Sequence, residues 1–309
     1  MSLVALPDPD RAVVARRDTI VEDLRRLVDR YPGRMTVAEI GSESYVARSI
    51  EYTEPGRLHT AYNFLLLENG PLTANLIRSA IESWTSASAW PSWSFSNHDV
   101  VRVRTRWGGP AASDAFAQLL LGVLMCLRGT IFLYQGEELG LPQAEVPFDR
   151  LRDPEGVRFW PDGLGRDGCR TPMPWKGNAA NAGFSSVEPW LPVDQRHGEL
   201  AAGKQERVRS STLNLTRAFI QFRREHRVLR LGDIEFLDAP EPVLAFWRSD
   251  SSSRLVCVFN LSAESVEYGL PANVRRLDYG LPGALRAGRA ALPPWGGLVV
   301  EESPRGLER

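Results

Sequence analysis

The sequence predicts an α/β arrangement of parallel strands and helices, followed by a small antiparallel β domain. Three observations indicate this fold class. Up to about residue 140, strand-like runs alternate with amphipathic helical segments across long connections. Residues 141–205 are rich in Pro, Gly, Trp and Asp and show little periodicity. From about residue 232, short strand-like runs alternate with turn residues, as in an antiparallel sheet.

Helical periodicity begins near the N-terminus. Residues 16–30 carry Ile20, Leu24, Leu27 and Val28 at helical spacing with charges between them, which predicts an amphipathic helix. Further helices are predicted over 71–84, 111–127 and 207–228.

Short apolar runs predict the strands. In the first part of the chain these runs are Met35–Glu39, Leu58–Leu67, Ser92–Ser96 and Thr130–Tyr134, and the first of them is expected to be buried. In the last part they are Val243–Arg248, Arg254–Asn260, Ser265–Leu270 and Gly297–Val300. The tail 301–309 is expected to fray. A loop as long as 141–205 is uncommon unless it is functional, so this region is predicted to border an active site.

Composition excludes several classes of function. The net charge of −1 steers the chain towards neither nucleic acid nor an anionic membrane. Its apolar stretches are too short to span a bilayer, and the run that stops at Pro7 is too short for a signal peptide. Three distant cysteines favour reduced thiols and a cytoplasmic protein. No zinc spacing, phosphate loop or dinucleotide fingerprint is present, so no cofactor and no metal are expected.

Two carboxylates follow predicted strands. Glu39 ends the strand Met35–Glu39, and Asp99 follows the strand Ser92–Ser96 within the polar set Asn97-His98-Asp99. Glycoside hydrolysis needs two carboxyl groups beside the scissile bond, and in a (β/α)₈ barrel such groups lie at the C-terminal ends of strands. The alternative interpretation of each carboxylate is a solvated loop residue or a helix cap.

The resemblance to a known family rests on separate sequence blocks in the same order. Ser94–Arg102, with its Asn-His-Asp centre, resembles the last conserved block of the α-amylase family, and Thr36-Val37-Ala38-Glu39 resembles the preceding block. Leu127–Gly140 is similar to the eighth barrel strand of that family and its loop. Arg166–Trp175 resembles the loop region of bacterial α-glucosidases and oligo-1,6-glucosidases. The resemblance runs from about residue 17 to about residue 260.

The resemblance implies a role for each matching residue. Glu39 is the expected general acid/base, and Asp99 is the expected carboxylate that binds hydroxyls of the distorted sugar and stabilises the transition state. His98 is expected to hydrogen-bond the same sugar, and Arg102 to bind near it. Asn97 is expected to brace the loop. The implied substrate is an oligosaccharide or α-glucoside whose terminal α-linked glucose is removed by a retaining mechanism.

The resemblance also implies an incomplete barrel. Residues 1–230 correspond to strands five to eight of a (β/α)₈ (TIM) barrel, and residues 231–309 to a C-terminal antiparallel β domain. The nucleophile of the family is an Asp at the end of strand four, and residues 1–34 contain no matching block. A retaining enzyme needs its nucleophile about 5–5.5 Å from its acid, so this chain is predicted to be inactive alone. Two explanations stay open: a truncated reading of a longer gene, or a separate chain that supplies the N-terminal half-barrel.

Other functions share these residues. A glucosyl isomerase or transglycosylase would use the same set, and a non-catalytic sugar-binding or partner-binding relative is a further alternative. Linkage preference stays open. Glu137 and Glu138 are interpreted as structural residues that cap a turn or pair with Arg, Asp167 as part of a turn, and Cys169 as an inert thiol.

Overall fold

The computed structural model describes residues 9–41, 44–85, 89–163 and 165–303. The fraying predicted from residue 301 is wrong for Glu301 and Glu302, which pair with Arg275 and Val274 in the last described strand of the chain. Residues 304–309 and the apolar run before Pro7 lie outside the described residues. Contacts divide the chain into two compact units, which are described separately below. The first unit comprises Met1–Asn63 and Ile81–Ser92, and the second comprises Phe64–Ala80 and Trp93–Arg309.

The first unit contains a parallel strand pair. Its elements are α1 (Pro9–Val28), β1 (Val37–Ala38), α2 (Tyr45–Tyr52) and β2 (Thr60–Ala61). β1 pairs with β2 in parallel, with Val37 opposite Thr60 and Ala38 opposite Ala61. The predicted first helix and the parallel pairing are therefore confirmed, whereas α2 was not predicted and both strands are shorter than expected.

The apolar surface of α1 and β1 is largely exposed to solvent. Ile20, Leu24 and Leu27 are 61%, 43% and 48% exposed, whereas Val21 on the same helix is buried. Val37 of β1 is 42% exposed. The prediction of a buried strand over Met35–Glu39 is therefore wrong. The reason is that, among the described residues, β1 pairs with β2 alone and has no neighbour on its other side.

The second unit places a short strand pair beside an apolar helix. β3 (Ser92–Trp93) pairs with β4 (Thr130–Ile131), and the elements around them are α3 (Ala74–Thr85), α4 (Val103–Gly108) and α5 (Asp114–Cys126). α3 contributes its residues 74–80 to this unit, and β3 contributes Trp93. α5 begins after Ser113, whose side chain accepts a hydrogen bond from the Phe116 amide. Ten residues of α5 are buried, so this helix forms much of the local core.

The region 141–205 is built from short helices and tight turns without a strand in its described residues. The helices are α6 (Pro154–Arg158), α7 (Gln195–Glu199) and α8 (Ala202–Gln205). Asp153 and Asp194 cap the first two of these helices. Small apolar clusters, one of them formed by Val146, Leu151 and Leu191, hold the region in place.

The helix predicted over 207–228 is broken at His226. α9 (Thr212–Glu225) and α10 (Arg227–Leu231) meet at this residue, whose φ of −100° and ψ of 98° are extended. Before the break, the Arg223 side chain donates hydrogen bonds to the carbonyls of Met125, Leu127 and Gly129. These bonds tie α9 to the end of α5.

The predicted antiparallel β segment is confirmed. Its strands are β5 (Asp233–Phe236), β6 (Val243–Ser249), β7 (Arg254–Asn260), β8 (Val266–Gly269), β9 (Val274–Arg276), β10 (Ala284–Arg286), β11 (Arg289–Leu292) and β12 (Gly297–Glu302). They form an antiparallel sheet in the order β5-β6-β7-β12-β9 and a second one in the order β10-β11-β8. Ala245, Trp247 and Val258 belong to the apolar core of this segment.

No helix within the described residues is both long and apolar enough to cross a membrane.

Candidate active site

The loop after β3 is shaped by its own asparagine. The Asn97 side-chain oxygen accepts hydrogen bonds from the amides of Asp99, at 2.9 Å, and Val100, at 3.1 Å. This arrangement is an Asx turn, in which a short polar side chain replaces a backbone partner. The expectation that Asn97 braces the loop is confirmed. The turn presents His98 and Asp99 to solvent, since their side chains are 61% and 40% exposed.

Two arginines from the region 141–205 meet this loop. Arg170 donates from Nη2 to Asp99 Oδ1 at 2.8 Å and from Nε to the His98 carbonyl at 2.7 Å. Arg166 Nη1 lies 3.5 Å from the same Asp99 oxygen. The other oxygen, Oδ2, lies 3.4 Å from His98 Nε2. The carboxylate therefore carries its arginine contacts on one oxygen only.

Arg102 is buried and binds the backbone. It is 2% exposed, and its guanidinium donates to the carbonyls of Gln135, at 2.8 Å, and Cys169, at 2.9 Å. The Arg102 amide donates to the Gln143 side-chain oxygen at 3.0 Å. Burial lowers the pKa of the Arg102 guanidinium. These contacts join three segments of the second unit, and the predicted sugar contact of Arg102 stays a prediction.

Gly136 allows the close approach of Arg102. Its φ is +90°, a left-handed conformation that favours glycine. A Cβ atom on Gly136 would lie 2.8 Å from Arg102 Nη1 and 2.6 Å from a methyl carbon of Leu141. A side chain at this position would therefore displace the guanidinium that holds the loop.

Glu137 is a buried carboxyl group behind the loop. It is 7% exposed, and its Oε2 accepts a hydrogen bond from the Tyr134 amide at 2.7 Å. Burial raises its pKa to about 7, although hydrogen bonds from Tyr134 and Ser96 and the charges of Arg102 and Arg106 oppose the shift.

The turn after β4 is held by two glutamates. Glu138 Oε2 accepts from the Gly136 amide at 2.7 Å, as Glu137 does from the Tyr134 amide. The interpretation of Glu137 and Glu138 as residues that cap a turn is therefore confirmed. Ser96 at the start of the Asp99 loop is bound through its Oγ to the Val103 amide at the loop's end, at 2.9 Å. Since Glu137 also bonds Ser96, the turn supports both ends of that loop.

The expected general acid lies at the end of β1. Glu39 follows Ala38 directly and is exposed to solvent. It belongs to the first unit, whereas His98, Asp99 and Arg102 belong to the second. The second unit brings His98 and Asp99 together and adds Arg166 and Arg170, whose roles the sequence did not assign.

The thiols of the chain are buried and unpaired. Cys126, Cys169 and Cys257 are all free cysteines inside the protein, as the sequence predicted. Burial raises the pKa of Cys169 to about 11, so this thiol stays protonated near neutral pH and is inert, as expected. Within the residues that the structure describes, no group of three or more His, Cys, Asp or Glu side chains is arranged to hold a metal ion.

The loop cluster around Asp99 brings together an exposed carboxylate, an imidazole and two guanidinium groups. Each of these groups is able to form hydrogen bonds with hydroxyl groups. The model of the alpha-amylase catalytic domain matches residues 15–232, and a domain of unknown function, DUF3459, matches residues 230–299. The chain therefore belongs to the alpha-amylase family.

Two curated relatives match most of the chain. A probable alpha-glucosidase of Rhizobium meliloti is 40% identical over 285 residues, which cover 89% of this chain and 51% of that protein. An oligo-1,6-glucosidase of Heyndrickxia coagulans is 29% identical over 299 residues, which cover 83% of this chain and 53% of that protein.

A solved structure also matches most of the chain. The crystal structure of the alpha-glucosyl transfer enzyme XgtA matches with a TM-score of 0.87 and 45% identity, covering 92% of this chain and 54% of that one. The chain thus spans about half the length of the curated relatives it matches.

The raised pKa of Glu137 predicts a pH-dependent stability that Glu137→Gln removes. Because the folded-state value of about 7 lies above the ordinary 4.5, the native state binds the proton more tightly than the unfolded state. The group's contribution to the free energy of unfolding is complete below pH 4.5 and is lost as the pH rises through 7. This loss amounts to roughly 3 kcal/mol.

Urea unfolding of the parent and of Glu137→Gln at pH 5 and pH 8 measures this effect. The glutamine is neutral at both pH values, so only the parent loses stability between pH 5 and pH 8. Relative to the parent, the unfolding free energy of the variant should therefore be roughly 2–3 kcal/mol higher at pH 8 than at pH 5. A difference that stays constant between the two pH values would show that Glu137 does not titrate as the structure indicates.

Proposed function

We propose that this chain carries one half of an α-glucosidase active site that acts on terminal α-linked glucose of oligosaccharides. In this proposal Glu39 is the general acid/base, Asp99 binds sugar hydroxyls and stabilises the transition state, and His98 binds the same sugar. The observation that carries the proposal is the exposed pair His98–Asp99, held by Arg170 in a chain of the alpha-amylase family.

The geometry around Asp99 suits a sugar ligand. Arg166 and Arg170 contact Oδ1 of Asp99, so Oδ2 remains available to accept hydrogen bonds from hydroxyl groups. Hydrogen bonds of this kind strengthen as positive charge develops on the ring in the oxocarbenium-like transition state. The Asp99 carboxylate can accept these bonds, and the adjacent imidazole can donate or accept one more.

The proposed architecture is the C-terminal half of a (β/α)₈ barrel over residues 1–230 and a β domain over residues 231–309. In that barrel β1 to β4 correspond to strands five to eight. The boundary between the two family matches supports it, because the match to the catalytic domain ends at residue 232 and the second match begins at residue 230. The parallel pairing of β1 with β2 is the pairing that a barrel of this kind uses.

The nucleophile is proposed to come from the other half of the barrel. The family's nucleophile follows barrel strand four, and this chain has no matching block. The uncovered face of the first unit fits a neighbour that supplies such a strand. Ile20, Leu24 and Leu27 recur at helical spacing on α1 and, like Val37 of β1, are each more than 40% exposed. Exposed apolar patches mark docking surfaces. We propose that an N-terminal half-barrel of this family covers this face.

Glucosyl transfer is the second candidate function. The likeness to XgtA, an alpha-glucosyl transfer enzyme, favours it. Transfer and hydrolysis share the covalent step and differ in whether water or another acceptor attacks the glucosyl group. An analysis of products formed in the presence of an added alcohol acceptor would distinguish them.

The purified chain is expected to release no p-nitrophenol from p-nitrophenyl α-glucoside above the level of Glu39→Gln. Loss of a covalent nucleophile lowers the rate by several orders of magnitude. The absorbance of p-nitrophenol measures the rate in both preparations. Activity of the parent that Glu39→Gln abolishes would support a glucosidase but would contradict the incomplete site.

The proposed docking face predicts binding of the N-terminal half of the Rhizobium meliloti relative. Leu24→Glu places a charge on the face and is expected to raise the dissociation constant at least about tenfold. Leu231→Glu, at a leucine that is also about half exposed, is the matched control and should bind like the parent. Titration calorimetry measures all three affinities.

Two outcomes would overturn this assignment of the face. The first is equal binding by the parent and Leu24→Glu. The second is a parent chain that does not bind the half-barrel but forms a dimer that Leu24→Glu dissociates in sedimentation velocity, because the occupant would then be a second copy of this chain.

A further inference from the structure

Arg166 lies between two carboxylates of unequal burial. Asp153 accepts from Arg166 Nε at 3.0 Å and from Nη2 at 2.8 Å, whereas Asp99 has only the Nη1 contact at 3.5 Å. The Asp153 side chain is 0% exposed, and that of Asp99 is 40% exposed. The guanidinium therefore directs its two stronger donors away from the proposed sugar site.

The contacts of Asp153 exceed those of a helix cap. Besides the guanidinium, its Oδ2 accepts from the Arg166 amide at 2.7 Å, and its Oδ1 accepts from the Glu155 amide at 3.4 Å. The Arg166 guanidinium holds the pKa of the Asp153 carboxyl well below its usual range. A forked pair between guanidinium and carboxylate is among the strongest hydrogen-bonded contacts in proteins.

The backbone around this pair is fixed by further contacts. Asp167 Oδ2 accepts from the amides of Arg152, at 2.6 Å, and Asp153, at 2.8 Å. Gly165 has a φ of +56°, and a Cβ atom there would lie 2.6 Å from the Gly156 Cα atom. The segments that carry Asp153 and Arg166 are therefore packed too closely to separate easily.

We propose that Asp153 is a positioning residue that turns Arg166 away from Asp99 and so leaves the Asp99 carboxylate open to a sugar hydroxyl. The inference rests on the proposed sugar-binding role of Asp99. Without the negative charge of Asp153, Arg166 would be free to form its own forked pair with Asp99, which already carries Arg170. Two guanidinium groups on one carboxylate would occupy the oxygens that the substrate needs.

Hydrogen exchange of the Arg166 Nε proton tests this proposal in the chain as it exists. The chain is labelled with ¹⁵N-arginine, and Asp153→Asn is compared with the parent by NMR. Asparagine remains a good N-cap but lacks the charge, so a capping role alone would leave the signal unchanged. Exchange with water is expected to be about 10- to 100-fold faster in Asp153→Asn, as for loss of a charge-assisted hydrogen bond.

Asp194→Asn is the matched control. Asp194 also caps a short helix and binds an arginine side chain, since Arg196 donates from Nε to its Oδ1 at 3.1 Å. This variant should speed the exchange of Arg196 Nε and leave that of Arg166 unchanged. If Asp153→Asn fails to fold, as judged by far-UV circular dichroism, Asp153→Ser provides a second capping residue without charge.

Asp99→Asn decides the direction of the effect. Introduced alone, this substitution should change the exchange rate of the Arg166 Nε proton by no more than about twofold. Introduced together with Asp153→Asn, it should speed the exchange about tenfold beyond the rate of Asp153→Asn alone, because Arg166 then relies on Asp99. The proposal would be overturned if Asp99→Asn and Asp153→Asn, each introduced alone, sped the exchange of the Arg166 Nε proton equally. It would also be overturned if Asp153→Asn left that exchange rate unchanged. Because the readout needs no catalysis, it is independent of whether the chain belongs to a working glucosidase.

Discussion

The buried guanidinium of Arg102 is the interaction on which the site of the second unit depends. A charge that is 2% exposed is stable only where hydrogen bonds replace its water, and Arg102 obtains them from the carbonyls of Gln135 and Cys169. Because these carbonyls lie on two different loops, a single side chain fixes both loops to the segment that carries Asp99. Lysine lacks the planar fork that reaches two carbonyls at once, so it is a poor replacement here.

The second unit uses arginine side chains in the same way at several further places. Arg104 and Arg106 also donate to backbone carbonyls, of Ala112 and Phe95 among others. Arg248, which is fully buried, reaches the carbonyls of Cys126 and Gly232. Each of these guanidinium groups donates to more than one backbone carbonyl group. The Asp99 loop therefore rests on side-chain contacts, and the region 141–205 keeps its shape without a sheet.

The sequence predicted those features that depend on local patterns. Short apolar runs separated by turn residues placed strands at β6, β7 and β12, and the Asn-His-Asp set located the exposed pair His98–Asp99. It missed the exposure of β1, because a buried strand and an uncovered one share the same apolar pattern. It also missed Asp153 and the partners of Arg166, since these contacts join residues that only the folded loop brings together. The burial of Arg102 could not be predicted either, because its sequence block indicates a charged residue and not how deeply that residue lies.

We propose that this chain supplies the acid/base and the stabilising carboxylate of a glucosidase whose nucleophile lies elsewhere. The most direct measurement mixes the chain with the N-terminal half of the Rhizobium meliloti relative and follows p-nitrophenol release from p-nitrophenyl α-glucoside. We expect activity that neither half shows alone and that Glu39→Gln or Asp99→Asn in this chain reduces by at least about a thousandfold. Activity of the mixture that survives both substitutions would contradict it, as would a stable complex of the two halves without activity.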